Sequence, residues 1–152
     1  MTELIQIITA TVGSLGFGIL FNIRGKRLIA VAIGGGVAWS LYLCFFDLTG
    51  SLGISYFLIS LILEIYGEIM ARCFKCPAIL FISPSLIPLV PGASLYYTMA
   101  HILSDSGEFA HRAFTTLAIA AALAGGIIFS AIVTTLVTKI KVFINQKHHK
   151  TR

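Results

Sequence analysis

Two carboxylates lie where a carboxylate is costly. Glu64 and Glu68 are the acidic residues of an otherwise apolar run, 52–71, and their spacing of four places them on one helical face. Glu64 precedes Arg72 by eight residues. At ~1.5 Å per residue that sets it about 12 Å inside the polar edge, with Glu68 about half as deep. Removal from water favours the neutral form of a carboxyl. Glu64 is therefore a candidate for carrying protons, or for balancing the charge of a substrate amino group. Glu68 is a second candidate for proton coupling. Its plainer reading is that it snorkels to the interface and pairs with Arg72 one turn on.

A second constellation follows on the returning segment, 78–103, which carries Pro84, Pro88 and the pair Pro91-Gly92. Each proline withholds a helical N–H, so continuous helix here would orphan the carbonyls of Leu80, Pro84 and Ile87. In hydrocarbon such groups survive only against protein or a wet cavity. Interrupted apolar segments of this kind point to a transport path. Pro84 lies seven residues past Pro77, close to the depth of Glu64. The expectation is a break from Pro84 to Gly92 at which the hydroxyls of Ser83 and Ser85, the freed carbonyls and Glu64 converge.

Other reactive residues carry less. Cys73-Phe-Lys-Cys76 has metal-ligand spacing, but one such pair without a second is a weak signal, and reduced thiols are the expected state. His101 and His111 fall on the side opposite the basic turns, His148 and His149 in the tail, and none has ligand neighbours at depth. No nucleophile–base pair and no metalloprotease motif can be assembled. No metal site, cofactor or enzymatic activity is expected.

These residues need helices to hold them. Of 152 residues, 57% are hydrophobic and 11% charged, with a mean hydropathy of +0.95. That is too little charge to coat a soluble surface, and the class is an all-α integral membrane protein. Five spans are expected, at 4–23, 28–46, 52–71, 78–103 and 113–137, forming a transmembrane domain over 1–138. A basic tail follows over 139–152 and is expected to fray beyond Asn145. The first span holds Gly13, Gly16 and Gly18, and the second Gly34-Gly35-Gly36, small residues that let helices approach closely. The triplet also leaves open a local unwinding beside a substrate. The first set lacks the order and the preceding strand of a phosphate loop.

Of the 11 Lys and Arg, all but Arg112 fall on one side of the five-span arrangement. That bias makes this side cytoplasmic, with the N-terminus outside. It also accounts for the net charge of +5 without nucleic acid. Met1-Thr2-Glu3 lacks a positive n-region, so no cleavable leader is expected.

The run Ser83-Pro84 through Leu86-Ile87-Pro88-Leu89-Val90-Pro91-Gly92-Ala93-Ser94-Leu95-Tyr96 resembles the proline-rich signature of the threonine/serine exporter family. The exit of the first span, Gly16-Phe17-Gly18-Ile19-Leu20-Phe21-Asn22, with its basic turn and glycine-rich successor, is similar as well. The resemblance covers most of the chain, in order, and matches the smaller, C-terminal half found as a separate subunit in split members. It implies a larger membrane subunit as partner and export of a small polar metabolite, threonine, serine or a dicarboxylate such as succinate. It places Pro88, Pro91, Gly92 and, less specifically, Asn22 on the substrate path. It says nothing of Glu64. Association of identical copies stays open. The rival readings are an assembly or regulatory membrane subunit without a path, and a membrane enzyme.

Overall fold

The computed structural model describes residues 2–103 and 109–150, with side chains described for 2–100 and 109–140. The described residues form helices joined by short turns, without strands. Helix α1 (Thr2–Leu20) closes on Asn22, whose left-handed φ of 58° lets Ile23 N–H reach Gly18 O and Asn22 N–H reach Ile19 O, both at 2.9 Å. That pair of bonds is a Schellman motif, with Ile23 turned into the core. Gly25, at φ 64° and ψ −140°, then turns the chain into α2 (Lys26–Thr49), and Gly50, at φ 62°, ends it.

Helix α3 (Leu52–Phe74) ends on Lys75 at φ 50°. The next segment is built in pieces. Helix α4 (Ile79–Leu86) passes into a single 3-10 turn (Ile87–Leu89), and α5 (Gly92–Leu103) leaves at a bend of 46°. Helix α6 (Phe109–Lys150) completes the order. Among the described residues, four helices are long and apolar enough to cross a membrane, and the bent α4–α5 pair supplies a fifth crossing if taken as one span.

The break is narrower than the sequence suggests. Pro84 sits inside α4, and the chain turns at Val90, which takes an extended ψ of 129° as a residue before proline prefers. The Ile87 carbonyl, expected to be orphaned, accepts Val90 N–H at 3.1 Å, and Gly92 N–H bonds Val90 O at 2.7 Å. Helix α6 also differs from the expected 113–137. It runs through the basic tail, since no glycine or proline lies between Gly126 and Lys150 to end it.

Small residues set the packing. A Cβ at Gly35 or Gly36 would collide with Ser14 or Thr11 of α1, and one at Gly67 of α3 with Ile82 of α4. Gly34 faces the other way, toward α3 and α4, so the glycine triplet stays helical and serves two interfaces. Two buried cores result. One gathers Tyr56, Ile59, Leu63, Leu89, Ile119 and Leu123, and the other Ile23, Ala30, Val31 and Phe81.

Candidate functional site

The signature segment is pinned to α2 by two side-chain donors. Ser85 Oγ donates to Val31 O at 3.0 Å, fully buried, and Tyr66 of α3 donates its hydroxyl to Ala30 O at 2.7 Å. These adjacent carbonyls lie one turn before Gly34 and Gly35. An added Cβ at Gly34 would stand 2.7 Å from Ser85 Oγ and 2.8 Å from Tyr66 Cε1, so the bare backbone is what admits both donors. Pro84, beside Ser85, is fully buried, whereas Ser83 is half-buried. Pro84 therefore rests against protein, whereas the turn itself is more open, with Pro88 and Pro91 half-buried and Val90 and Gly92 exposed.

Beyond Ser85 the segment borders open space. Pro88 and Ile87 wall a cleft of about 260 Å³ with Gln6, Thr9 and Phe17 of α1 and Trp39 of α2. Trp39 Nε1 donates to Gln6 Oε1 at 3.3 Å across it. Gln6, Thr9 and Trp39 were not singled out from the sequence. The signal available was the lone Gln of the first span and the lone Trp of the chain. Pro91 is half-buried at the bend. Gly92 opens α5 exposed, with nothing within 4 Å of where its Cβ would be.

Glu64 is buried at 6% exposure, on the stripe of α3 between Ser60, which packs on Gly126 of α6, and Gly67, which packs on Ile82 of α4. No hydrogen bond or ion pair reaches it among the described residues. The expected convergence takes a different form: Ser85 is turned to α2, and no hydrogen bond joins Glu64 to Ser83 or Ser85. Glu68, one turn on, pairs with Arg72 at 3.6 Å, the plainer of its two expected arrangements. Arg72 Nη2 also donates to Thr138 Oγ1 at 3.2 Å. These residues, with Thr134, Thr135 and Lys139, wall a second cleft of about 380 Å³ between α3 and α6.

Asn22 is exposed at the end of α1, where its Oδ1 accepts from Arg24 Nε at 3.0 Å. It lies apart from the Pro88 cleft, and its geometry is that of a helix cap. The free cysteines Cys44 and Cys73 are exposed and Cys76 half-buried. His101, His148 and His149 lie outside the residues whose side chains are described.

A family model described as Threonine/Serine exporter, ThrE matches residues 6–133, which takes in most of α1 through the first part of α6, the Pro88 cleft and the whole signature segment, but only the α3 wall of the α3–α6 cleft. No curated protein and no solved structure matches the chain.

Proposed function

Since the chain belongs to the threonine/serine exporter family, of multi-pass transporters of the cell membrane, we propose that it is one membrane subunit of a proton-coupled exporter. Its cargo is a small polar metabolite: threonine or serine, or alternatively a dicarboxylate such as succinate. A larger membrane subunit supplies the other half. The basic turns lie on the cytoplasmic side, following the one-sided distribution of Lys and Arg.

The observation that carries this reading is the bent α4–α5 pair. It has a buried, pinned limb at Pro84 and Ser85, a cleft wall at Ile87 and Pro88, and an open turn at Pro91 and Gly92. Interrupted apolar segments of this kind point to a transport path. A substrate carboxylate would meet the first free N–H groups of α5, as anions do at helix N-termini. Gln6 and Thr9 would offer it neutral hydrogen bonds from the facing wall. Glu64, buried in the same bundle, would exchange a proton in each cycle.

The test is export from cells or vesicles carrying this chain, the large subunit, or both. Efflux of threonine, serine or succinate only when both are present supports the reading. Full efflux from the large subunit alone would reduce this chain to an assembly factor.

A further inference from the structure

Helices α3 and α6 run side by side in a fixed register. Ser60 packs into the space left at Gly126, and three turns on Arg72 reaches Thr138, both at an offset of 66 residues. Parallel helices that keep one offset must carry it through the turns between. Glu64 is then level with Ser130, and Glu68 with Thr134, which do share the α3–α6 cleft. Steps of four keep each series along one side of its helix. A polar column results within an apolar bundle, with Glu64, Glu68 and Arg72 on α3 facing Ser130, Thr134 and Thr138 on α6.

Two members of the column are unpartnered at the same level. The Ser130 hydroxyl is buried, at 2% exposure, and makes no hydrogen bond. Glu64 beside it makes none either among the described residues. A buried orphan hydroxyl is costly unless it shares a proton or a water, and the Glu64 carboxyl, whose oxygens keep some accessible surface, is the group level with it. One turn below, the column opens into the cleft of about 380 Å³, roomy and polar enough for several waters. The Thr134 hydroxyl there donates to Ser130 O, leaving its lone pairs to accept.

We infer that the α3–α6 seam is the route by which Glu64 exchanges protons with water at the basic end of the bundle, with Ser130 as the bridging hydroxyl and Glu68 at the mouth. This rests on the proton-coupled reading above. On release, the O–H bond of protonated Glu64 breaks as its proton passes to Ser130 Oγ. The serine gives its own proton to a water of the cleft, and that water passes one to bulk, either directly or through Glu68, which takes it up and then releases it. Each relay member ends unchanged, and one proton has left. The charged groups facing the route are Glu68 and Arg72 from α3 and Lys139 from α6. Helix α4, also packed on this part of α3, has no ionisable side chain between Ile79 and Leu86. Tyr66 is turned to α2 and occupied with Ala30.

Two measurements test it. In a chain carrying Cys44→Ser, Cys73→Ser and Cys76→Ser, Ser130→Cys and Thr134→Cys should react with a membrane-impermeant thiosulfonate added to the basic side of sealed vesicles. Ile132→Cys, on the exposed face, should stay unlabelled from either side. Separately, Ser130→Ala should lower gradient-driven export relative to substrate exchange by about a hundredfold, the low end of what a positioned proton-transfer group contributes. Ser130→Thr, which keeps the hydroxyl, should restore it. An unreactive seam, or an unchanged ratio in Ser130→Ala, overturns the route while leaving proton coupling through Glu64 intact. Proton dependence that persists in Glu64→Gln would instead remove the coupling reading and the route with it, whatever the labelling shows.

Discussion

Ser85 of α4 donates to the Val31 carbonyl of α2 at 3.0 Å, in a contact with no room for a side chain at Gly34. The joint ahead of the bend is thus held by a hydroxyl set into a glycine gap. Its other jaw is Tyr66, bonded to the neighbouring carbonyl of Ala30.

Gly34→Ala should therefore break both bonds at once, because its methyl would have to displace Ser85 and Tyr66 together. Overpacking of this kind costs about 1–3 kcal/mol. Ser85→Ala removes a single bond and should cost less, about 0.6 kcal/mol by the average for bonds between membrane helices. Melting of the detergent-purified protein should fall clearly for the first and little for the second. Equal losses would show that Gly34 does not set this contact.

At Gly126 the obstacle is backbone. A Cβ there would lie 2.5 Å from Phe57 O and 3.2 Å from Leu61 N, groups that cannot swing aside as a side chain can. Gly126→Ala should push α6 off α3 and lower melting more than Gly125→Ala, whose Cβ would meet Phe57 at an ordinary 3.7 Å. The pair is read side by side in one thermal assay.

Asn22 separates a capping role from a place on the substrate path. At φ 58°, Asn22→Gly should fold as well as the parent, while Asn22→Ala should lose about 1 kcal/mol to left-handed strain. If the cap is its whole role, transport per folded molecule is unchanged in Asn22→Gly. A transport defect in a well-folded Asn22→Gly would restore the amide to the path.

Much of this architecture is legible in the sequence, and the remainder is hidden for physical reasons. Hydropathy alone separates the helices, and the spacing of Glu68 and Arg72 gives their pairing. The position of the bend is less readable. Pro84, Pro88 and Pro91 look alike in the sequence, yet Pro84 fits inside a short helix and only Val90 is forced into extended backbone. The Gly34–Gly36 triplet announces close packing but not that its members face two different neighbours. Ser130 and Thr134 read as unremarkable helix residues. Their place opposite Glu64 and Glu68 depends on the register of α6 against α3, which no local pattern encodes.

Pro91 is where backbone geometry and transport should meet. Pro91→Ala supplies an N–H and relieves the constraint on Val90, so the 46° bend should relax toward continuous helix. We expect normal abundance with export reduced by at least about tenfold, a loss of about 1.4 kcal/mol in transition-state terms. Pro84→Ala, away from the turn, should retain more activity. The reverse order would move the working joint back into α4.

The central claim is that Glu64 carries the coupling proton, and its most direct measurement is export in sealed vesicles with and without an imposed proton gradient. Glu64→Gln keeps the size and polarity of the side chain and removes its titration. The parent should respond to the gradient, and Glu64→Gln should show residual substrate exchange indifferent to it. A Glu64→Gln transporter that still accelerates with the gradient as the parent does would contradict the account.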